Sequence, residues 1–282
     1  MTDTNIKLIA PDLDGTLLNE RKEMTERTRK ALERCAAAGI MVVPATGRIE
    51  AGIPASVLGL PGVRYAVMVN GAVVADIKKK RTISEAKLSW QKALKVMELA
   101  SACPVMYDCY IDGFGRVEKR FLDHMEDYGI RPNLTALIMR TRETVDDLKQ
   151  YIRENRRDID KINLFFGDME LRERFRAMLG GDPELCVSSA VPYNLEINDP
   201  RATKGRGLQT LAAHLGLKMS QVMAFGDGEN DISMIREAGL GIAMGNAVDI
   251  LKQSAKWVTK TNEQDGVAAA IETFIFGSGG ML

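Results

Sequence analysis

The chain has 282 residues, of which 45% are hydrophobic and 27% charged, and Lys plus Arg equal Asp plus Glu at 38 each. This length suits two unequal domains, and the balanced charge excludes a broad basic surface for nucleic acid or anionic membrane. Four scattered cysteines without a CxxC pair and only two histidines argue against a zinc site, and we expect a reduced, cytoplasmic protein.

The first part of the chain alternates short apolar runs with a helix. Ile6–Ala10 predicts a buried strand, and Thr25–Ala38 predicts a helix that ends at Gly39. Ile40–Val43 and Ala66–Val69 are continuous apolar runs of the kind found in buried parallel strands. Strands and helices in this order, with polar residues after each strand, are typical of an open α/β sheet.

The pattern changes from about residue 83 to about residue 190. Trp90–Ala100 and Thr144–Asn155 predict helices, and Asp112-Gly113 predicts a hairpin turn. The predicted strands are Val105–Ile111, Arg116–Arg120, Ile162–Phe166 and Leu185–Val187. Hairpins mixed with helices indicate an α+β module, which we place at residues 85–190.

The first pattern then resumes. The predicted helices are Lys204–Leu215 and Asp231–Ala238, and the predicted strands are Val222–Phe225, Leu240–Ala243 and Trp257–Thr259. We therefore predict an α/β core domain built from residues 1–84 and 191–282, interrupted by the inserted module.

Two aspartates follow the first predicted strand, in the sequence DLDGT at 12–16. In an extended chain residues i and i+2 project to the same side, so Asp12 and Asp14 lie together. Adjacent carboxylates repel, and therefore one is protonated or a cation lies nearby. Mg²⁺ suits such a pair because it takes oxygen ligands and commonly binds carboxylates together with substrate phosphate. A solvated turn at a strand end is the alternative interpretation.

A second acidic segment, GDGEND at 226–231, lies between a predicted strand and a predicted helix. Glycines flank Asp227, and an Asn or Asp after them caps the helix. Such a loop can offer Asp227 to a metal while Asn230 and nearby amides face an anion. An ordinary capped loop between a strand and a helix is the alternative.

Three further residues suit a phosphate group. The hydroxyl of Thr46 and the backbone of Gly47 form a neutral cradle for phosphate oxygens, and Lys204 adds a compact positive charge. Each signal is weak alone, since a lysine at a helix start is usually solvated. Together, the strand-end loops converge on the carboxyl edge of one sheet, where open α/β folds bind ligands.

In this order the motifs resemble those of the haloacid dehalogenase superfamily of phosphotransferases, in particular its Cof-type branch (subclass IIB) of sugar-phosphate phosphatases. DxDGT at 12–16 is similar to the first motif, TGR at 46–48 to the second, Lys204 in ATKG to the third and GDGEND to the fourth. MGNA at 244–247 is a further match. The resemblance covers residues 5–80 and 192–270, and it implies a Rossmann-like parallel-sheet core with an inserted α+β cap domain that determines substrate specificity.

The resemblance also implies chemistry. Asp12 is expected to attack phosphorus and form an aspartyl phosphate, and Asp14 to act as general acid and then general base. Mg²⁺ is expected at the Asp12 carboxylate, the Asp14 carbonyl and Asp227, with Asp231 supporting the metal site from nearby.

Phosphate oxygens are expected to meet five groups, because phosphoryl transfer mainly needs preorganised charge and hydrogen-bond donors. The resemblance assigns this role to the amide of Leu13 and to Thr46, Gly47, Lys204 and Asn230.

One residue departs from the family pattern. Pro11 precedes the nucleophile where the family usually has a large apolar residue, and proline is poorly placed in a central strand because it lacks an amide hydrogen. Pro11 leaves open the alternative that the protein is a sensor, which binds a phosphorylated ligand without hydrolysing it. A phosphomutase is a further alternative, and a true dehalogenase is disfavoured because Asp14 has no task there.

The expected partner is a small phosphorylated metabolite, with hexose phosphates the family's common substrates. The basic run KKKR at 78–81 suits a solvated hairpin turn better than a nucleic-acid site. No apolar stretch approaches 18 residues and the first ten residues lack a signal-peptide layout, so we expect no membrane association. The physiological substrate and the oligomeric state cannot be read from the sequence.

Overall fold

The computed structural model describes residues 5–277. In chain order the helices are α1 (Glu26–Ala37), α2 (Ala55–Leu58), α3 (Trp90–Ser101), α4 (Pro132–Thr141), α5 (Leu148–Asn155), α6 (Met169–Gly180), α7 (Lys204–His214), α8 (Ile232–Glu237), α9 (Asp249–Ser254) and α10 (Gly266–Phe274). The strands are β1 (Leu8–Pro11), β2 (Met41–Val42), β3 (Tyr65–Met68), β4 (Val73–Asp76), β5 (Arg81–Glu85), β6 (Val105–Ile111), β7 (Phe114–Glu118), β8 (Arg142–Val145), β9 (Lys161–Phe166), β10 (Cys186–Ser188), β11 (Asn194–Asn198), β12 (Val222–Gly226), β13 (Leu240–Ala243) and β14 (Trp257–Val258). Within residues 5–277, every helix is too short or too polar to cross a membrane.

The chain divides into two compact units. The first comprises Met1–Gly47, Ile53–Glu85 and Thr203–Leu282, and the second comprises Arg48–Gly52 and Ala86–Ala202. The first unit thus joins both ends of the chain, and its residues 1–4 and 278–282 lie outside the described part.

A parallel sheet forms the centre of the first unit, in the order β14-β13-β12-β1-β2. Strand β1 is central, because Leu8 pairs with Val222 on one side and with Met41 on the other. All residues of β1 and β12 are buried, as expected of short apolar runs covered on both faces. The antiparallel strands β3, β4 and β5 continue from this sheet through the bridge between Ala45 and Val67.

Pro11 is the last residue of β1, and the strand pairing continues around it. Its carbonyl accepts a hydrogen bond from the Ala45 amide at 2.9 Å, and the next amide, that of Asp12, donates to the Phe225 carbonyl at 2.9 Å. Because the strand ends there, the missing amide hydrogen does not prevent Asp12 from staying in register with β12.

A six-stranded sheet forms the second unit, in the order β10-β11-β9-β6-β7-β8. Its pairs are antiparallel except β7 with β8. The predicted turn at Asp112-Gly113 joins β6 to β7, and both residues have positive φ, 51° and 80°, as a tight hairpin turn requires. The predicted fold class, a parallel α/β core interrupted by an α+β module, is confirmed.

One predicted helix of the second unit differs from the structure. The helix predicted from Thr144 begins only at Leu148, because Thr144 pairs with Val117 in the sheet and Asp147 caps the helix by accepting from the Gln150 amide. The compact second unit extends to Ala202, since β11 pairs with β9. The predicted bounds of the two domains stay a prediction.

Candidate active site

The carboxyl ends of the parallel strands carry the polar residues that the sequence singled out. Asp12 follows β1 and Asp227 follows β12, and these strands are neighbours with Pro11 opposite Phe225. One ligand oxygen each from Asp12, Asp227 and Asp231 lie within 4.8 Å of one another. The fold therefore joins segments far apart in the sequence into one buried acidic cluster.

Lys204 lies at the centre of this cluster. Its ammonium nitrogen donates to Asp12 Oδ1 and to Asp231 Oδ1, both at 2.6 Å, and the side chain is fully buried. Lys204 is the first residue of α7, whose preceding residue Thr203 caps the helix by accepting from the Arg206 amide. A buried lysine with two carboxylate partners is held in one position.

The electrostatics of the cluster favour a cation. In the protein without a metal, burial raises the pKa of Asp12 from 3.8 to about 7 although Lys204 opposes the shift, and burial together with Asp12 raises the pKa of Asp227 well above its usual range. Burial lowers the pKa of Lys204, but Asp12 and Asp231 outweigh it and the net shift is upward. Three carboxyl groups thus share one ammonium group, and they hold protons unless a further cation neutralises them.

The donor set fits Mg²⁺, which prefers carboxylate oxygens. Asp231 has a different task from the other two carboxylates: its Oδ1 accepts from Lys204, and its Oδ2 accepts from the amides of Asp227 and Gly228, each at 2.9 Å. It therefore shapes the loop that carries Asp227. Asp12 and Asp227 are the carboxylates best placed to hold a metal.

Gly15 allows Asp227 to occupy its position. The glycine has a φ of 78°, and a Cβ atom there would lie 2.3 Å from Asp227 Oδ2. On the same carboxylate, Oδ1 accepts from the Thr16 hydroxyl at 2.9 Å. An alanine here would strain the backbone and displace the Asp227 carboxylate, so the glycine of the DxDGT motif also serves the second acidic segment.

The Asp14 side chain pairs with a lysine outside the acidic cluster. Its Oδ1 accepts from the Lys22 ammonium at 2.7 Å, and both side chains are 40% exposed. The expected acid and base group therefore faces solvent beside a lysine that the sequence analysis did not single out. No spacing rule could have shown this pair, since it depends on the conformation of the loop at 19–23.

The residues expected to meet phosphate lie at the same sheet edge. Leu13 is buried and its carbonyl accepts from the Leu18 amide, while the buried Thr46 donates its own amide to the Val67 carbonyl at 2.8 Å. In that loop, the groups that can contact phosphate are the Thr46 hydroxyl and Gly47, which is half-buried. Asn230 is partly exposed, and its Nδ2 donates to Asn70 Oδ1 at 3.1 Å.

Comparison with known proteins decides the family. A sequence model of the haloacid dehalogenase-like hydrolases matches residues 9–271. The chain belongs to this family. The predicted family and the predicted enzyme class, a hydrolase of the phosphatase type, are confirmed by this match and by relatives that are named phosphatases.

Individual relatives match nearly the whole length of this chain. The chain is 31% identical to a 5-amino-6-(5-phospho-D-ribitylamino)uracil phosphatase of Bacillus subtilis, over 97% of each protein. A haloacid dehalogenase-like hydrolase structure from B. subtilis has a TM-score of 0.84 at 26% identity, covering 96% of this chain and 100% of that one. A similar hydrolase from Bacteroides thetaiotaomicron has a TM-score of 0.79 at 29% identity, covering 95% and 98%.

Proposed function

We propose that this hydrolase is a Mg²⁺-dependent phosphatase of small phosphomonoesters, sugar phosphates foremost, which works through an aspartyl-phosphate intermediate on Asp12. The observation that carries the proposal is the buried Lys204, which contacts Asp12 and Asp231 at the edge where Asp227 also lies. Such a group of fixed charges suits a transferring phosphoryl group, whose negative charge must be stabilised in place.

In the first step a carboxylate oxygen of Asp12 attacks phosphorus. Lys204 holds Oδ1 of that carboxylate, which fixes the orientation of the nucleophile. The bond from phosphorus to the leaving oxygen breaks as the new bond forms, and Asp14 gives a proton to the departing alkoxide.

In the second step water attacks the aspartyl phosphate. Asp14 takes a proton from the water as its oxygen bonds to phosphorus, and the bond between phosphorus and Asp12 breaks. Inorganic phosphate leaves and the Asp12 carboxylate is restored. The same carboxyl group thus serves as acid and then as base, as microscopic reversibility of the two half-reactions allows.

The proposed metal site consists of the Asp12 and Asp227 carboxylates and the Asp14 carbonyl, with Asp231 holding the loop. Bound Mg²⁺ would neutralise the charge on Asp12 and on the phosphate oxygens, which otherwise repel each other. The phosphate contacts proposed for this chain are the Leu13 amide, Thr46, Gly47, Lys204 and Asn230. The buried positions of Thr46 and Lys204 support this because they exclude water from around the charges.

The proposed substrates are small sugar phosphates and polyol phosphates. Esters of a primary alcohol, such as the hexose 6-phosphates, come first among them. The phosphorylated ribityl chain named for the Bacillus subtilis relative has the same terminal group, and a ribityl phosphate therefore belongs in the same test.

The test is phosphate release from a panel of sugar phosphates, polyol phosphates and nucleotides, with Mg²⁺ or with EDTA. The panel is repeated with Asp12→Asn and with a matched control, Asp249→Asn, which makes the same change at an exposed residue of α9. We expect release that needs metal, survives in the control and disappears in Asp12→Asn.

Other outcomes would overturn parts of the proposal. Absence of release from any compound, by a folded protein that binds Mg²⁺, would favour a sensor. Transfer of phosphate between positions of a sugar without release would indicate a phosphomutase. Release that persists in Asp12→Asn would remove the covalent intermediate from the mechanism.

A further inference from the structure

The ion pair between Lys22 and Asp14 is a feature that the proposed mechanism does not yet use. The Lys22 ammonium nitrogen lies 2.7 Å from Asp14 Oδ1. Exposed ion pairs of this kind add little to folding stability, because water screens the charges and two long side chains lose freedom. A stabilising role is therefore a weak explanation of this contact.

The loop at 19–23 holds the Lys22 backbone in a fixed place. The Asn19 amide donates to the Glu23 carbonyl, the Glu23 amide donates to Asn19 Oδ1, and the Lys22 amide donates to the Asn19 carbonyl, each at 2.9 Å. Asn19 is buried. The loop is further tied down where the Glu20 amide donates to Glu263 Oε1 at 2.7 Å.

Lys22 adopts a conformation that glycine would adopt more easily. Its φ is 63°, in the left-handed region that side chains other than Asn and Asp rarely occupy. The backbone of the loop therefore gives no reason for a lysine at this position. The side chain, by contrast, has a defined contact with Asp14.

We propose that Lys22 is a positioning residue that orients the Asp14 carboxyl group toward the leaving oxygen. The inference rests on the proposed function, in which Asp14 is the general acid. A protonated carboxyl group keeps one acceptor oxygen, so Lys22 can hold Oδ1 in both protonation states. The proton then travels on Oδ2 to the leaving oxygen as the bond to phosphorus breaks, and water returns one in the second step.

Leaving-group chemistry separates this role from a structural one. An alkoxide is a strong base and needs a proton as it departs, whereas p-nitrophenolate leaves without one. A defect in the general acid therefore slows the first step with an alkyl phosphate far more than with p-nitrophenyl phosphate. The second step, in which Asp14 acts as base, is the same for both substrates, and so the first step has to be compared alone. A defect in folding, metal binding or phosphate binding slows both.

The experiment compares kcat/KM for p-nitrophenyl phosphate and for the best alkyl phosphate of the panel, because this ratio reports the step in which the leaving group departs. Lys22→Gly removes the side chain and relieves the backbone, so misfolding is not expected, and Lys22→Arg keeps the positive charge. Asp14→Asn reports loss of the acid itself. Arg21→Ala is the matched control, since Arg21 is exposed in the same loop and pairs with Glu23.

We expect Lys22→Gly to lower kcat/KM for the alkyl phosphate about tenfold, which is part of the roughly 10²–10⁴-fold effect of a general acid. Its kcat/KM for p-nitrophenyl phosphate should fall much less. Lys22→Arg should recover part of the alkyl rate, and Arg21→Ala should match the wild type.

Three results would overturn the inference. An equal loss of kcat/KM on both substrates would mean that Lys22 binds the phosphate or supports the fold. A faster Lys22→Gly variant would mean that Lys22 holds Asp14 away from the leaving group. If Asp14→Asn itself shows no difference between the substrates, it is the proposed role of Asp14 that fails.

Discussion

Replacing Gly15 with alanine tests whether the DxDGT motif and the second acidic segment form one metal site. The new methyl carbon would lie 2.3 Å from Asp227 Oδ2, whereas ordinary contacts begin at 3.4 Å. The Asp227 carboxylate must therefore move by about 1 Å, and displacements of that size cost on the order of 10²-fold in rate when they disturb reacting groups. We expect the affinity for Mg²⁺ to fall by roughly 10–100-fold, as when a ligand loses its support.

Gly39 provides a matched control for the backbone. Its φ is 77°, against 78° at Gly15, and a Cβ atom there has nothing within 4 Å. Both alanine variants should therefore lose about 1–2 kcal/mol of unfolding free energy from the left-handed backbone. Gly15→Ala should lose about 1–3 kcal/mol more, the usual range for forcing a methyl group into filled space.

The assay combines three measurements on wild type and both variants. Urea unfolding in EDTA gives the stabilities, calorimetric titration gives the Mg²⁺ affinity, and phosphate release across a range of Mg²⁺ concentrations gives activity. Gly39→Ala should bind Mg²⁺ like the wild type. If Gly15→Ala binds Mg²⁺ and turns over substrate as Gly39→Ala does, Asp227 does not hold the metal and our account of the site is wrong.

Three further predictions concern buried charges. The pKa of Asp12 is raised from 3.8 to about 7, so between these pH values the folded state keeps a proton that the unfolded chain releases. The unfolding free energy in EDTA should therefore fall as pH rises from about 4 to about 7. Urea titrations at several pH values should show this fall, and it should be smaller in Asp12→Asn. Lys204→Met should lower the unfolding free energy by about 3–5 kcal/mol, since it leaves buried carboxylates without their cation, and Mg²⁺ should restore part of it in the same titration. Lys161 and Glu196 form a buried pair at 2.6 Å, so Lys161→Met should cost about 3–5 kcal/mol in thermal or urea unfolding, whereas adding Glu196→Leu should recover most of that loss.

The parallel core could be predicted because each of its strands is a short apolar run followed by polar residues. β13 has the bounds that the sequence predicted, Leu240–Ala243, and α1 differs from its predicted range by one residue at each end. The convergence of Asp12, Asp227 and Lys204 followed from the same reasoning, since strand ends of a parallel sheet share an edge. Here local pattern and tertiary structure agree.

Elsewhere tertiary pairing overrode the local pattern. Thr144 continues a helical pattern in the sequence, yet it pairs with Val117, and sheet pairing depends on the partner strand more than on intrinsic preference. The contact of Lys22 with Asp14 could not be predicted either. It requires a residue in the left-handed conformation, within a loop that hydrogen bonds with Asn19 close. Neither contact can be inferred from a local run of residues.

The position of β1 in the middle of its sheet has a consequence for how the protein is made. Leu8 pairs with Val222, so β1 leaves the ribosome long before the strand that covers its second edge. The sheet of the second unit, by contrast, is formed entirely by strands between Val105 and Asn198 and can close earlier during synthesis. Until β12 emerges, an apolar strand with one open edge is exposed to other chains, and the nascent protein is at its greatest risk of aggregation in that interval.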